Sequence, residues 1–176
     1  TILKRMYNSS STEGVITLYE VEGCRVENLQ IDGNKSTYTN SLNCGIYLKT
    51  SSKNTITGVT CINNDKYGIR LSGSINNSIT GNTCNDNNEG VYLSESNNNN
   101  IAGNTCNNNN FYGIHLSSSS NNTVTGNTCN NNNSCGSGLG ASSNNNTVTG
   151  NTCNNNSYYG IHLSSSSNNT VTGNTC

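Results

Sequence analysis

Apolar residues recur along the chain in two short alternating patterns that return at a nearly constant interval. The first is Gly-Ile-x-Leu, in which every second residue is apolar, as in Gly113–Leu116. The second is Thr-Val-Thr, as in Thr123–Thr125, which is followed by a glycine and then by Asn-Thr-Cys. Period-two alternation indicates strands that bury one face. Each repeat is therefore predicted to contain three short strands joined by Asn, Gly and Ser turns.

The cysteines that end the Asn-Thr-Cys pieces set the length of the repeat, which is 22 to 24 residues. These cysteines are Cys61, Cys84, Cys106, Cys129, Cys153 and Cys176. A nearly fixed step kept over several intervals is typical of repeat architectures. Three strands in so short a repeat form one coil of a parallel β-helix, in which each strand pairs with its copy about 4.8 Å away. We therefore predict an all-β fold, a parallel β-helix (β-solenoid) with three short strands per coil.

This arrangement predicts columns of inward side chains that run along the solenoid. Besides the cysteines, the apolar columns are Ile46, Ile69, Val91, Ile114 and Ile161; Leu48, Leu71, Leu93, Leu116 and Leu163; and Ile56, Ile79, Ile101, Val124, Val148 and Val171. Asparagines recur at two corners, as Asn82, Asn104, Asn127, Asn151 and Asn174, and as Asn64, Asn87, Asn109, Asn132 and Asn156. Asparagine tolerates left-handed backbone and its amide can bond to the coils above and below, so we expect two asparagine ladders.

The whole chain, residues 1–176, is predicted to be a single β-helix domain within a longer chain. Residues 1–44 form a degenerate first coil with a polar excursion at 33–43, and residues 45–176 are regular except at 130–144. In the first coil, the residues that match the columns 30 residues later are Ile16, Leu18, Val26, Leu29 and Ile31. In the irregular repeat, Gly138–Ala141 replaces Gly-Ile-x-Leu, and we expect a bulge around Cys135.

Composition narrows the classes of function. Hydrophobic residues make up 30% of the chain and charged residues 10%, with a net charge of −1 and no proline. Disorder normally accompanies high net charge, so the strict placement of the apolar residues favours a folded chain. No Asp, Glu, Lys or Arg follows Glu95, and the chain has neither a basic footprint for nucleic acid nor a run of 18 apolar residues that would span a membrane.

The repeat also resembles a known family. Asn-Asn-x-Ile-x-x-Asn, followed by Asn-x-x-Gly-Ile-x-Leu-x-x-Ser, is similar to the right-handed parallel β-helix repeat of the NosD-like and carbohydrate-binding or sugar-hydrolase families, over Gly14 to Cys176. Such repeats are abundant in surface proteins of methanogenic archaea. The resemblance implies a right-handed solenoid that is secreted or held at the cell surface. It is specific for fold and not for function, because the fold carries enzymes, adhesins and inert envelope proteins.

The residues that point outward from the Gly-Ile-x-Leu strands provide the first candidate site. Together with tyrosines from the preceding turn, this aromatic stripe comprises Tyr47, Arg70, Tyr92, Tyr112, His115, Tyr159 and His162. Exposed aromatic rings can stack on sugar rings, or they can pack against another molecule. The two histidines lie two coils apart, too far to share a metal ion. The cysteine spacings lack a CxxC pair, so we predict neither a metal site nor a cofactor.

A charged patch is the second candidate, formed by Asp65, Lys66, Arg70, Asp86 and Glu89. Sugar-cleaving β-helices need paired carboxylates, or a base with a metal. No column repeats such a pair, so no catalytic residue is assigned. A third candidate is the outward threonine column Thr57, Thr80, Thr125, Thr149 and Thr172. It resembles the face of β-helical ice-binding proteins, although β-propensity alone favours threonine there.

Cysteines and glycosylation triplets complete the candidates. The inward cysteines are expected to be a stack of buried thiols or to pair between neighbouring coils. Cys44 and Cys135, outside that column, are expected to be exposed and to link molecules. Asn-x-Ser/Thr triplets that would carry glycans in a secreted protein begin at Asn8, Asn34, Asn76, Asn121, Asn145, Asn155 and Asn168.

These features favour an extracellular structural protein that self-associates into a surface layer, sheath or filament by stacking of solenoids. The alternative is a carbohydrate-binding or polysaccharide-processing module that uses the aromatic stripe or the charged patch near Asp65 and Arg70, and ice binding is a further alternative.

Overall fold

The computed structural model describes residues 1–8, 11–38 and 42–176. Residues 39–41, which belong to the predicted polar excursion, lie outside the described residues. In the described part of the chain every regular element is a β-strand, and the strands form three parallel sheets. The sheets run side by side along the axis of a solenoid, and the chain passes from one to the next through short turns. The predicted all-β parallel solenoid with three strands per coil is confirmed.

Two of the sheets have seven strands each. The long-strand sheet contains β2 (Gly14–Tyr19), β5 (Cys44–Lys49), β8 (Tyr67–Ser72), β10 (Glu89–Ser94), β12 (Ile114–Ser117), β14 (Cys135–Gly140) and β16 (Tyr159–Leu163). The Thr sheet contains β3 (Arg25–Glu27), β6 (Thr55–Thr57), β9 (Ser78–Thr80), β11 (Asn100–Ala102), β13 (Thr123–Thr125), β15 (Thr147–Thr149) and β17 (Thr170–Thr172). The third sheet contains β1 (Ile2–Lys4), β4 (Gln30–Asp32) and β7 (Thr60–Ile62), and single bridges between threonines continue it to Thr175.

The strand register places like residues above like residues. Leu93 pairs with Leu116 and Val124 pairs with Val148, so the apolar columns form a continuous buried core. The degenerate first coil follows the same rule, since Ile16 pairs with Ile46. The other N-terminal pairs are Leu18 with Leu48, Val26 with Ile56 and Ile31 with Cys61. The 30-residue offset predicted for that coil is confirmed.

Buried asparagines satisfy the polar groups of the turns. In a typical step, the Asn127 side-chain oxygen accepts hydrogen bonds from the backbone N–H and the side-chain amide of Asn104, at 2.8 and 3.0 Å. Both predicted ladders are present, and two further ladders that the sequence analysis did not single out run beside them. One consists of Asn54, Asn77, Asn99, Asn122, Asn146 and Asn169, and the other of Ser51, Ser74, Ser96, Ser119 and Ser143.

The irregular repeat differs from its predicted alignment. Leu139 pairs with Leu116, and Ser137 takes the isoleucine position opposite Ile114. The predicted match of Gly138–Ala141 to Gly-Ile-x-Leu is therefore wrong by two residues, and β14 runs without a bulge at Cys135. The extra residue lies in the turn that follows β14, where Ala141 and Ser142 have φ of 49° and 65°. An exposed turn absorbs an insertion at little cost, whereas a shift in the strand would take Leu139 out of the core.

Candidate functional site

The outward side of the long-strand sheet carries one column of chemically varied side chains along the solenoid. In the order of strand pairing, the column is Thr17, Tyr47, Arg70, Tyr92, His115, Gly138 and His162. A second outward column contains Cys44, Tyr67, Glu89, Tyr112, Cys135 and Tyr159. We call the two columns together the aromatic face. The sequence analysis found most of its members but missed Gly138, because it aligned that repeat two residues out.

Arg70 lies among three tyrosine rings on this face. Its guanidinium carbon is 4.9 Å from the ring centre of Tyr47, 5.5 Å from that of Tyr67 and 5.9 Å from that of Tyr92. Tyr67 and Tyr92 also stack on each other with their centres 4.7 Å apart. Within the described residues, Arg70 forms no ion pair with a carboxylate, and its buried Nε lacks a hydrogen-bond partner. The three tyrosines therefore hold a cation whose charge is not neutralised by any carboxylate of the described residues.

We call Arg70 and the three tyrosines around it the Arg70 cage. A histidine–glutamate pair lies next to this cage. His115 Nδ1 and Glu89 Oε2 are 3.0 Å apart, and both side chains are mostly buried. The His115 ring stacks on Tyr112 at 4.4 Å between centres and contacts Tyr92 at 5.1 Å. Burial raises the pKa of Tyr67 and of Tyr112, and the Glu89 carboxylate acts in the same direction on both. Both phenols therefore remain protonated hydrogen-bond donors at neutral pH.

The structure corrects three predicted exposures on this face. Tyr47, expected to be an exposed ring, is only 7% exposed beside Arg70. Cys44 and Cys135 were expected to be exposed and to link molecules, but they are 0% and 2% exposed. In the second outward column Cys44 lies between Gly14 and the longer Tyr67, and Cys135 pairs with the longer Tyr159. Burial raises the pKa of Cys44 to about 12, which keeps it a protonated thiol.

The other cysteines lie in the predicted inward column. Cys61, Cys84, Cys106, Cys129 and Cys153 are buried in the core, while Cys176 is exposed. All nine cysteines are free thiols. A hydrogen bond with the Cys84 thiol, together with burial, raises the pKa of Cys61 well above its usual range. These thiols therefore pack in the core as small hydrophobic residues.

The glycosylation candidates separate into two groups. Asn34 is only 8% exposed and its side-chain amide donates to the Arg5 carbonyl at 3.1 Å, so it cannot accept a glycan in the folded protein. The exposed candidates are Asn8, Asn76, Asn121, Asn145, Asn155 and Asn168. Glycosylation at these positions stays a prediction.

The predicted charged patch is divided by contacts that the sequence did not reveal. Asp65 binds Arg5, which is 1% exposed, at 3.2 Å, and the backbone carbonyl of Asp86 accepts a hydrogen bond from Lys35. Glu89 and Arg70 instead belong to the aromatic face. The threonine column of the Thr sheet is in register except where Ala102 interrupts it. In the described ranges, no three His, Cys, Asp or Glu side chains gather as a metal site, and no helix is long and apolar enough to cross a membrane.

The protein is therefore a parallel β-solenoid whose aromatic face carries side chains of varied chemistry. The sequence matches the family described as the right-handed beta helix region over residues 13–176, and the chain belongs to that family. The predicted right-handed β-helix is thereby confirmed, while the narrower NosD-like and archaeal resemblance stays a prediction. No curated protein matches the chain.

Several solved structures share the fold. A variant of the periplasmic alginate epimerase AlgG matches with a TM-score of 0.74 and 25% identity, over 82% of this chain and 33% of that one. Full-length tailspike protein 2 from an Escherichia coli bacteriophage matches with a TM-score of 0.73 and 17% identity, over 98% and 30%. The A-module of the Azotobacter vinelandii mannuronan C-5 epimerase matches with a TM-score of 0.50 and 14% identity, over 98% and 76%. The chain spans about a third of the length of the AlgG variant.

Proposed function

We propose that this β-helix binds an acidic polysaccharide along its aromatic face. The observation that carries the proposal is the state of Arg70, a guanidinium held among three tyrosine rings with no carboxylate partner in the described residues. A guanidinium presents a fork of N–H donors that matches a carboxylate. A uronic-acid residue has such a carboxylate on a ring whose C–H groups can pack against tyrosine.

The shape of the face fits an extended polymer. Strands of neighbouring coils lie about 4.8 Å apart, so the outward residues form a flat track that continues along the axis. Tyr92, His115 and Tyr112 extend the track beyond Arg70 through ring contacts of 4.4 and 5.1 Å. Aromatic rings offer rigid area at small entropic cost, and their polar tips face the hydroxyl groups of a sugar.

This proposal replaces the structural role favoured by the sequence. Linkage of molecules through exposed Cys44 and Cys135 is inconsistent with the burial of both thiols. Two of the similar solved structures are epimerases named for alginate or mannuronan, which are acidic polysaccharides. A periplasmic protein and a phage tailspike among these structures also support a location outside the cytoplasm.

The test is binding of oligomannuronate and of a neutral oligoglucan of equal length, measured by calorimetry on wild type and Arg70→Gln. Hydrogen bonds to charged groups contribute about 1.5–3 kcal/mol, so the substitution should weaken oligomannuronate binding by about 10- to 100-fold. The matched control is Arg25→Gln, which removes the same charge from an exposed ion pair with Glu27 on the Thr sheet. Equal affinity of wild type and Arg70→Gln, or equal binding of the neutral oligomer, would contradict the proposal.

The His115–Glu89 pair favours a second function, processing of the bound polysaccharide. A histidine oriented by a carboxylate is a common general base, and a nearby guanidinium would stabilise charge that develops on a uronate carboxylate. The expected products are epimerised or unsaturated residues, detected by NMR after incubation of oligomannuronate with the protein. Products from wild type that are absent with His115→Gln would support processing. Binding without any product would restrict the function to recognition.

A further inference from the structure

Strand β14 interrupts the outward columns of the long-strand sheet. Gly138 and Gly140 occupy two of its outward positions, where Gly138 is buried against the Tyr112 ring and Gly140 remains partly exposed. In register with Gly138 lie His115 on one side and His162 on the other. Gly140 pairs with Ser117. The two histidine-bearing strands are therefore separated by a rung that has no side chain of its own at this column.

These two glycines belong to the lining of a notch of about 210 Å³, formed by Tyr112, His115, Gly138, Leu139, Gly140, His162 and Ser164. We call it the Gly138 notch. Liquid water occupies about 30 Å³ per molecule, so the notch has the volume of about seven waters, which suits one monosaccharide ring. Stacked aromatic pairs stand at both ends. Tyr112 and His115 are 4.4 Å apart between ring centres, and Tyr159 and His162 are 4.8 Å apart.

Glycine is required at position 138 to keep this shape. A Cβ atom there would lie 2.7 Å from a ring carbon of Tyr112. Any larger residue would displace the ring that forms one wall. At position 140, by contrast, the nearest atom to an added Cβ is the Ser164 carbonyl oxygen at 3.9 Å. The notch is therefore open above Gly140 and closed by an aromatic wall above Gly138.

We infer that the Gly138 notch is a subsite for one pyranose ring, which lies above Gly140 and beside the Tyr112 ring, between His115 and His162. The inference rests on the proposed function and extends it to a named position on the polymer track. The aromatic rings face the C–H groups of the sugar, and the imidazole nitrogens and the Ser164 hydroxyl bind its hydroxyl groups. The two imidazoles lie on strands about 9.6 Å apart, twice the strand spacing, which excludes a shared metal ion.

The spacing along the sheet separates this subsite from the Arg70 cage. Gly138 is three strands from Arg70, through Tyr92 and His115, or about 14 Å at the strand spacing. A short oligosaccharide bound at Arg70 does not extend to the notch, whereas a longer one occupies both. Length dependence of binding therefore reports on the notch separately from the cage.

The experiment measures oligomannuronates of increasing length against wild type, Gly140→Phe and Gly140→Ser. Phenylalanine at 140 fills the notch, while serine reproduces the residue found in the same column at Ser117. For oligomers long enough to reach the notch, Gly140→Phe is expected to bind at least tenfold more weakly than wild type, and Gly140→Ser within twofold. The shortest oligomers that bind are expected to have equal affinity for all three proteins, which also shows that the variants are folded.

A second readout uses the two histidines, the only ones in the chain. Their imidazole proton signals are assigned with His115→Gln, and a long oligomer is expected to shift both signals, a short one only that of His115. Unchanged affinity of Gly140→Phe for long oligomers, or a His162 signal that does not move at saturation, would overturn the subsite while leaving the Arg70-dependent function intact. If wild type binds no oligomer of any length, the proposed function fails and the subsite fails with it.

Discussion

Removal of one asparagine from the buried ladder should cost a large part of the stability of the domain. The Asn127 side chain makes four hydrogen bonds. Its oxygen accepts the two from Asn104, and its amide donates to the carbonyl oxygen of Ile101 and to the side-chain oxygen of Asn151, both at 2.9 Å. At about 1 kcal/mol each, Asn127→Ala should lower the free energy of unfolding by about 4 kcal/mol, and the orphaned N–H of Asn104 adds to this loss. Small domains have only about 5–15 kcal/mol in total.

The assay is urea unfolding followed by far-UV circular dichroism, with Asn133→Ala as the control. Asn133 is exposed and lies in the same repeat, so its substitution should change stability by no more than about 0.5 kcal/mol. A lower slope of unfolding in Asn127→Ala would show that the stack separates into two units at the damaged coil. A loss below about 1 kcal/mol at unchanged slope would refute the reasoning, because it would mean that water replaces the ladder bonds without penalty.

Three further predictions concern buried positions. Gly113→Ala would place a Cβ atom 2.7 Å from the backbone of the next coil and should lower the melting temperature. Gly103→Ala should lower it less, because a Cβ atom at position 103 meets open space and only the strain of a φ of 62° opposes it. Equal losses in the two variants would contradict the reasoning. Cys44, with its pKa at about 12, should resist iodoacetamide at pH 8 while the more exposed Cys24 reacts. Since the unfolded thiol ionises first, this pKa shift should make stability fall as the pH rises from about 8.5 toward 12. Ser137→Val should raise the free energy of unfolding by about 1 kcal/mol, because the buried Ser137 hydroxyl has no hydrogen-bond partner among the described residues. A lower free energy of unfolding in this variant would show that the hydroxyl does have a hydrogen-bond partner.

The solenoid could be read from the sequence because its core is made of identical contacts. A residue such as Leu116 contacts its copies one coil above and below, so its inward position follows from the repeat alone. The asparagine ladders follow for the same reason. The ladder through Asn122 has the same period and could have been predicted in the same way.

Burial on the outward side could not be read in this way. Whether Cys44 is exposed depends on the size of the side chains beside it in the neighbouring coils, and these differ from one coil to the next. The alignment of β14 failed because Gly138-Leu139 imitates the start of Gly-Ile-x-Leu. The correct register is fixed instead by where the extra residue can be placed, which is the turn at Ala141. The burial of Arg5 could not be predicted, because its partner, Asp65, is 60 residues away and belongs to another coil.

The same distinction indicates where function resides in this molecule. Inward positions are constrained by stacking, since a change at Leu116 disturbs the coils on both sides. Outward positions contribute little to the stack, so they can differ from coil to coil at small cost in stability. A column that runs from Tyr92 through His115 to Gly138 and His162 is therefore free to vary in the way that the proposed binding of a polysaccharide requires. Recognition of an extended polymer needs different side chains at a uniform spacing along one face. Each strand of the sheet then contacts a different part of the bound polymer.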